Sequence, residues 1–233
     1  MSPAAPPATR TLPGPRAGHA PTPAPVAPDP GTPAGRLFNA ARELFARDGF
    51  SGATTRAIAV RAGQNQALLH YYHGSKAALY RHVLSVELLR VMRHQTEGRL
   101  GVLPVQDLLA TFPGRMLEFF RANPETASLL RREIGAEGRV MKEILLDLGA
   151  QGPMGMRKRM AAGIGEAVEA GSVRDLPADH LLACLLAMSY GLMLMEPLLE
   201  AVLRLNLESA ARRGLPATIE SLLRLGLTPR EDA

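Results

Sequence analysis

Side chains that can hydrogen-bond to the edges of DNA bases lie close together between residues 65 and 70. Asn65 and Gln66 carry amides, which pair well with adenine, and His70 adds an imidazole one helical turn after Gln66. Ala67 is small enough for close approach and can touch a thymine methyl group. These residue types at this spacing predict a short helix that reads bases in the major groove; an ordinary solvated surface is the alternative.

Two neighbouring side chains suit phosphate groups rather than bases. Tyr71 can donate its hydroxyl to a phosphate oxygen. Lys76 follows Ser75, a good helix cap, so its ammonium adds to the positive end of the next helix dipole. Phosphate contacts position a protein on the duplex, whereas base contacts specify the sequence. The segment therefore contains candidates for both kinds of contact.

The elements that must position these side chains are three short helices joined by tight turns. Apolar residues at helical spacing predict the first helix over residues 34–48. The second starts after Thr54, which can cap its free N–H groups, and the third covers about residues 66–72. Between them, Gly63 can take the left-handed conformation that a tight turn needs. This layout is typical of a helix-turn-helix, and a fourth helix is expected over residues 76–96.

Positive charge is concentrated on the same part of the chain. The whole chain has a formal net charge of +5, and residues 35–83 alone carry seven basic and two acidic residues. The 150 residues that follow are slightly acidic. A positive field over the helix-turn-helix favours phosphate binding. The basic residues are Arg36, Arg42, Arg47, Arg56, Arg61, Lys76 and Arg81.

The rest of the chain is predicted to be helical as well, so the expected fold class is all-α. Breaks rich in glycine and proline separate most of its helices, and no strand-like alternation persists. One helix contains an uncharged run of fifteen residues, which is shorter than a bilayer span and favours burial, so no membrane contact is expected. The helices are expected near residues 105–122, 125–135, 138–149, 154–170, 178–201 and 205–226.

The first 34 residues differ in composition from the rest. Eleven of the chain's 19 prolines lie there, together with alanine, threonine and glycine. Such a segment buries too little apolar surface to offset its ordering entropy, so residues 1–34 are predicted to form a disordered extension. The extension has no apolar run typical of a secretory signal, and a single cysteine excludes an internal disulfide. A cytoplasmic location is therefore expected.

Residues 35–83 resemble the DNA-binding domain of the TetR family of bacterial transcriptional regulators. The resemblance rests on AARELFARDGF, TRAIAVRAG and LLHYYHGSKAALYRHVL, in this order and spacing. It implies a helix-turn-helix domain over residues 35–83 and a larger helical domain for ligand binding and dimerisation over residues 84–229. His73 stands where the family usually has a Phe, which predicts a less stable small core. The resemblance also implies phosphate contacts by Thr54, Arg56, Tyr71 and Lys76.

Two late helices are candidates for a dimer interface. One recognition helix reads only a few base pairs, so useful affinity needs two copies and a palindromic operator. The helices near 178–201 and 205–226 carry many apolar residues. The family resemblance implies that two such helices from each subunit form a four-helix bundle in a homodimer. The alternative is that they cover only the core of one subunit.

The second domain also contains candidates for an effector pocket. Nine of the ten methionines lie beyond residue 90, and flexible thioethers suit an apolar pocket with several guests. Two phenylalanines could add ring contacts, and an acidic residue on an otherwise apolar helix could orient a ligand. Core packing is the alternative for the apolar residues, and pairing with a neighbouring arginine is the alternative for the acid. The candidates are Met116, Phe119, Phe120, Glu133, Met141 and Met188.

These features together predict a repressor that a small apolar molecule releases from DNA. The ligand would favour a conformer whose two recognition helices are wrongly spaced for the operator. No cofactor or metal is expected. The least favoured alternative is a helical enzyme, for which the sequence offers no nucleophile paired with a base, no metal-ligand spacing and no phosphate loop. The other alternative is a helical scaffold whose helix-turn-helix no longer binds DNA.

Overall fold

The computed structural model describes residues 25–96, 103–148, 153–204 and 210–229, which form ten helices and no strand. The all-α prediction is thereby confirmed for this part of the chain. The helices are α1 (Pro33–Gly52), α2 (Thr55–Arg61), α3 (Gln66–His73), α4 (Lys76–Thr96), α5 (Val105–Ala122), α6 (Pro124–Gly135), α7 (Arg139–Asp147), α8 (Pro153–Glu169), α9 (Ala178–Leu203) and α10 (Ala210–Leu227).

Most of these bounds lie within two residues of the predicted ones, and the first helix shows why ends are harder to place. Gly49 has φ 74° and ψ 176°, so the regular part of α1 stops there, as its glycine predicts. A further short turn then carries the chain to Gly52. The predicted start of the last helix, residues 205–209, lies outside the described residues.

A small apolar core holds the first three helices against the start of α4. Leu37 and Phe45 of α1, Ile58 of α2, Leu69 of α3 and Leu79 of α4 are fully buried. Each comes from the apolar stripe of its own helix, so the core forms where the stripes converge. Burying a side chain of this kind contributes about 1.5–3 kcal/mol. The core therefore fixes the orientation of α3, whose other faces are exposed.

Helix α6 joins this small domain to the rest of the molecule through hydrogen bonds to the end of α1. The Ser128 hydroxyl donates to the Ala46 carbonyl at 2.7 Å, and the Arg132 guanidinium donates to the same carbonyl at 3.1 Å. Arg132 also donates to the Arg47 carbonyl at 2.5 Å. Carbonyls in the last turn of a helix lack intrahelical partners. Two side chains of α6 therefore satisfy the C-terminal end of α1.

Helix α5 is the centre of the second domain, where α4, α6, α8, α9 and α10 pack around it. Its contact with α10 is close at Gly114, where an added Cβ would lie 3.0 Å from the Cβ of Pro216. Phe112, Met116 and Leu117 are buried on this helix. A glycine at the crossing lets the two backbones approach, so α10 covers α5 at this point.

Helices α9 and α10 leave an apolar surface uncovered. One face of α9, including Leu185, Ser189 and Met193, is buried against its neighbours. The opposite face is exposed, with Leu198 at 51% and Val202 at 65% exposure. On α10, Leu222 and Leu225 are exposed as well. Large exposed apolar patches mark interaction sites, so this surface is a candidate for one.

Among the described residues, α9 is the one helix that is long and apolar enough to cross a membrane, judged by length and composition alone. The structure packs one side of α9 against α5 and α8. This packing agrees with the sequence-based expectation that the uncharged run belongs to a helix of the protein core.

Part of the predicted disordered extension is ordered, and the prediction for residues 25–34 was wrong. Asp29 accepts a hydrogen bond from the Gly31 N–H at 2.8 Å, and Thr32 caps α1 by accepting from the Gly35 N–H at 3.1 Å. The Val26 carbonyl accepts from His82 of α4 at 3.0 Å. Composition did not reveal the contact of Val26 because α4 supplies its partner. The predicted disorder of residues 1–24 lies outside the described residues.

Candidate DNA-binding surface and effector cavity

Side-chain caps fix the start of both helices in the helix-turn-helix. The Thr54 hydroxyl accepts from the Ala57 N–H at 3.1 Å, and the Asn65 side chain accepts from the Ala67 N–H at 2.9 Å. Gly63 lies between them with φ 61°, the left-handed conformation predicted for the turn. Because Asn65 already accepts at Oδ1, its amide N–H₂ is the part that stays available for a base or a phosphate.

The exposed face of α3 carries the side chains predicted to read bases. Gln66, Ala67 and His70 are all exposed. The Gln66 amide N–H₂ donates to the Thr55 hydroxyl at 2.9 Å, and the His70 Nδ1–H donates to the Gly74 carbonyl at 2.9 Å. The His70 bond leaves Nε2 facing outward as an acceptor when the ring is neutral. Sequence reasoning did not identify Thr55, which orients Gln66 from the neighbouring helix.

Tyr71 and Arg56, which are both predicted to contact phosphate, are exposed. Tyr71 is 79% exposed and its ring packs edge-on against Tyr72, with centroids 4.9 Å apart. Arg56 is exposed on α2 and makes no ion pair or hydrogen bond with any residue that the structure describes. The Tyr71 hydroxyl can donate to a phosphate oxygen from a ring that Tyr72 holds in place. The Arg56 guanidinium, which has no ion pair in the described structure, can do the same.

Lys76 has a structural role that the sequence did not predict. Its ammonium donates to the Phe50 carbonyl at 2.9 Å and lies 4.4 Å from the centroid of the Phe50 ring. The contact ties the start of α4 to the last turn of α1, which follows Gly49. A phosphate contact would have to share the ammonium with this carbonyl, and its three donors allow that.

The positive field on the small domain is weaker than the residue count predicts. Arg47 pairs with Asp48, and Arg61 pairs with Glu43. Arg42 pairs with Glu125, and Arg81 pairs with Glu143 and Asp147, so acids of the second domain neutralise these two. Ion pairing lowers the pKa of Asp48 below its usual range through the hydrogen bond from Arg47. Of the seven basic residues, Arg36, Arg56 and Lys76 are outside such pairs within the described structure.

His73, where the family usually has Phe, is half buried beneath α1. Its Nε2–H donates to the Ala34 carbonyl at 3.2 Å, and its ring centroid lies 6.1 Å from that of His82. Burial lowers the pKa of His73 because the charged form is desolvated, although the hydrogen bond to Ala34 opposes this effect. The neighbouring His82 adds a further lowering of the pKa. The neutral imidazole is therefore the form that fits this core.

A pH-dependent loss of stability is expected from His73. Between its ordinary pKa of about 6.5 and its lower folded pKa, the unfolded chain binds a proton that the folded chain resists. The free energy of unfolding should therefore fall as the pH falls through this range, and His73→Phe should reduce that fall. Urea unfolding at pH 7.5 and pH 5.5 measures both slopes. Exposed His180→Phe is the matched control and should keep the wild-type slope; an unchanged slope in His73→Phe would contradict the assignment.

The predicted effector contacts lie in different parts of the described structure. Met116 and Phe120 are buried in the apolar core, where Phe120 packs on Tyr190. Burial raises the pKa of that tyrosine to about 12. Met188 is exposed on the uncovered face of α9, and Met141 is partly buried on α7. These four residues are core or surface residues, so the alternative of ordinary packing describes Met116 and Phe120 better.

Glu133, which was predicted to orient a ligand, is hydrogen-bonded to protein groups in the structure. One carboxylate oxygen accepts from the Tyr80 hydroxyl at 2.7 Å. The other accepts from the backbone N–H groups of Val140 at 2.9 Å and Met141 at 3.1 Å. The predicted alternative was an ion pair with a neighbouring arginine. The partners of the Glu133 carboxylate in the described structure are instead the Tyr80 hydroxyl and two backbone N–H groups. Glu133 caps the start of α7 from α6 and links both helices to α4.

Phe119 is the one predicted effector residue that lines the large cavity found in the described structure. The cavity has a volume of about 780 Å³ and lies between the segment 25–27, the second half of α4 and the end of α5. Leu89 and Val86 of α4 and Phe119 of α5 supply its apolar wall. Sequence reasoning missed it because one wall is the segment that was expected to be disordered.

Comparisons with known proteins agree with this geometry. Residues 37–83 match the model of "Bacterial regulatory proteins, tetR family". The chain is 30% identical over 165 residues to the HTH-type transcriptional repressor SCO4008 of Streptomyces coelicolor, covering 70% of this chain and 80% of that protein. It is 23% identical over 148 residues to the HTH-type transcriptional repressor NicS of Pseudomonas putida, covering 62% of this chain and 66% of the relative.

Solved structures show the same fold at low sequence identity. The ketosteroid transcriptional regulator KstR2 of Mycobacterium tuberculosis aligns with a TM-score of 0.64 at 16% identity, covering 88% of this chain and all of that one. The fatty acid degradation regulator FadR of Bacillus halodurans aligns with a TM-score of 0.62 at 15% identity, covering 81% of this chain and 92% of the other. The chain belongs to the TetR family of bacterial transcriptional regulators.

Proposed function

We propose that the protein is a dimeric transcriptional repressor of the bacterial cytoplasm that binds a palindromic operator and is released by a small molecule. The observation that supports DNA binding best is the exposed face of α3. Its start is capped by Asn65, and Gln66, Ala67, His70 and Tyr71 project from it together. A short helix that is rigidly capped and exposed on one side suits insertion into the major groove.

The contact types divide between two roles. Gln66 and His70 present hydrogen-bonding groups on the α3 face, and Ala67 lets the helix approach the base pairs. Arg56 and Tyr71 lie beside that face, with Thr54 and Lys76 at the starts of α2 and α4. Phosphate contacts at both sides would fix the register of α3 on the duplex.

Dimerisation follows from the uncovered apolar surface of α9 and α10. On α9 the exposed positions 188, 195, 198 and 202 recur at helical spacing, on the side opposite the buried one. Two helices that each leave one apolar face open can close it by packing on a second copy about a two-fold axis. In the proposed dimer, each copy of α3 would contact one half-site of the operator.

Release by an effector requires a connection between the two domains. Ser128 and Arg132 of α6 hold the end of α1, and Glu133 of the same helix holds Tyr80 of α4. A shift of α6 therefore moves α1 and α4 together, and with them α3. A ligand that binds the shifted conformer better than the DNA-bound one would weaken operator binding.

The first test is selection of binding sites from a random DNA pool, followed by fluorescence anisotropy of the selected duplex at two salt concentrations. A two-fold symmetric site, bound more weakly at higher salt, is the expected result. The DNA flanking the protein's own gene is the first natural duplex to compare with the selected one. Recovery of no common sequence, with only weak binding to every duplex, would favour the scaffold alternative.

Arg56→Ala tests the phosphate contact within this experiment. The variant should bind all sequences more weakly and reduce the slope of log affinity against log salt by about one per half-site. Exposed Arg159→Ala on α8 removes the same charge far from the helix-turn-helix and is the matched control. Equal salt slopes for the two variants would remove Arg56 from the proposed contact surface.

A further inference from the structure

The His70 ring on the exposed face of α3 is held by the backbone at the end of the same helix. Its Nδ1–H donates to the Gly74 carbonyl at 2.9 Å, and the Gly74 N–H donates in turn to the His70 carbonyl at 2.9 Å. A carbonyl oxygen can only accept, so Nδ1 carries the proton of the neutral ring. Nε2 then has a lone pair and no hydrogen. The ring therefore offers an acceptor to any group that approaches α3.

The conformation of Gly74 aims the carbonyl that selects this tautomer. Gly74 has φ 74° and ψ −69°, and the Ser75 N–H donates to the His73 carbonyl at 2.9 Å. These values describe the rare γ-turn with positive φ, which strains any residue that has a side chain. A Cβ added at Gly74 would have no other atom of the described structure within 4 Å, so the backbone conformation and not crowding requires glycine here. The turn therefore fixes the direction of the carbonyl and, through it, the position of the proton on His70.

Gln66 is held in a comparable way one helical turn before His70. Its amide donates one N–H to the Thr55 hydroxyl at 2.9 Å, which leaves the second N–H and the carbonyl oxygen for a base. Residues four positions apart lie on the same face of a helix, and both of these side chains are exposed. Within the described structure, the Nε2 of His70 makes no hydrogen bond of its own. Helix α3 therefore presents two side chains whose orientation is set before DNA binds.

We propose that His70 recognises the exocyclic amine of a cytosine or an adenine by accepting a hydrogen bond at Nε2. In the major groove, cytosine N4 and adenine N6 carry donors, whereas guanine O6 and thymine O4 are acceptors. The Nε2 lone pair meets a donor on the two amino bases and another acceptor on the two keto bases. The inference rests on the proposed function and deepens it, because it names the base group that one residue of α3 recognises. Gly74 is the positioning residue of this contact.

Nitrogen-15 NMR of the full-length protein without DNA tests the tautomer. At pH 8, which keeps imidazole rings neutral, the chemical shifts of the two ring nitrogens show which of them carries the proton. We expect a protonated Nδ1 and an unprotonated Nε2 at His70, whose signals are identified by their loss in His70→Gln. A protonated Nε2 would overturn the proposal. Because no DNA is present, the result does not depend on whether the protein binds an operator.

Gly74→Ala tests the positioning role in the same measurement. The methyl group strains the turn, so the carbonyl should move and the ring nitrogens should show a mixture of both tautomers. Gly165→Ala on α8 is the matched control, because Gly165 is exposed, has no positive φ and has room for a Cβ. It should keep the wild-type shifts of His70. Wild-type shifts in Gly74→Ala as well would remove Gly74 from the positioning role.

Deleting single amines from the selected operator tests the base contact itself. The base 2-pyrimidinone replaces cytosine without its amine, and unsubstituted purine replaces adenine in the same way. At one position of the half-site, this deletion should weaken wild-type binding about tenfold for each half-site, because the Nε2 lone pair loses its donor. The deletion should cost His70→Ala nothing at that position. Exposed His180→Ala is the matched control and should lose affinity as the wild type does.

Three results would overturn the base contact. One is an equal cost of amine deletion in the wild type and in His70→Ala at every position. Another is a coupling of His70 to 7-deazapurines, which lack the N7 acceptor, because His70 would then act as a donor. A wild-type protein that selects no operator would defeat the proposed function, and the base contact would fall with it whatever tautomer the free protein shows.

Discussion

Leu198→Glu is expected to convert the dimer into a monomer that binds its operator at least about a hundredfold more weakly. Leu198 lies in the uncovered apolar face of α9 and is 51% exposed within one subunit. In the proposed dimer the new carboxylate would be buried against a second copy of itself, which costs several kcal/mol unless it is paired. Loss of the partner removes one of two half-site contacts, and the affinity falls with it. Analytical ultracentrifugation and anisotropy measure the two effects.

The control for this variant is Leu146→Glu. Leu146 is 67% exposed on α7, away from the α9 and α10 surface, so the same substitution should leave both the dimer and DNA binding intact. Circular dichroism checks that each variant remains helical. A Leu198→Glu protein that sediments as a dimer would show that the interface lies elsewhere on the molecule.

Glu133→Ala is expected to lower the free energy of unfolding by about 2–4 kcal/mol. The start of α7 has no cap of its own, because Gly138 occupies that position in a left-handed conformation. The Glu133 carboxylate accepts from two N–H groups of α7 and from the Tyr80 hydroxyl. Removing it leaves these donors without their acceptor at a site that is 95% buried. Urea unfolding measures the change.

Tyr80→Phe separates the two halves of this contact. It removes one donor and keeps the cap of α7, so it should cost about 1 kcal/mol, less than Glu133→Ala. In the double variant the two effects should not add, because Tyr80 and Glu133 share one hydrogen bond. Additive costs would mean that the bond contributes nothing and that Glu133 acts through α7 alone.

The sequence predicted the helices well because their signals are local. Thr54 caps the helix that it was expected to cap, and Gly63 makes the expected turn. The exposed face of α3 was predictable for the same reason, since Leu69 marks its buried side and the remaining positions follow from the helical period. Caps, turns and a single buried stripe need no knowledge of distant residues.

The effector residues were not predictable in the same way. Helix α5 is covered on nearly all sides, so its periodicity does not say whether Met116, Phe119 or Phe120 faces a cavity. Phe119 lines one because residues 25–27 lie across it, and their composition had suggested disorder. The function of Glu133 depends on Tyr80, which is 53 positions away. Contacts of this range depend on the packing of whole helices.

The distribution of charge in space could not be predicted from the sequence either, because it also depends on how distant helices pack. The excess of arginine over acidic residues in the small domain was visible in the sequence, but its distribution in space was not. Arg42 and Arg81 pair with acids of α6 and α7, so part of the charge counted toward DNA binding holds the two domains together. Arg56 makes no ion pair with any residue of the described structure, so its charge stays available.

The hydrogen bonds from α6 to the end of α1 bear on the engineering of hybrid regulators. A DNA-binding domain cut out at residue 83 and grafted onto another protein's body would leave behind Ser128 and Arg132. The Ala46 carbonyl would then lose both side-chain partners, and the Arg47 carbonyl would lose one. A stable graft therefore needs a recipient whose sixth helix carries a serine and an arginine one helical turn apart. Both side chains must lie at the same position relative to the end of α1 as Ser128 and Arg132 do. Recipients can be chosen by that pair of residues before any operator is considered.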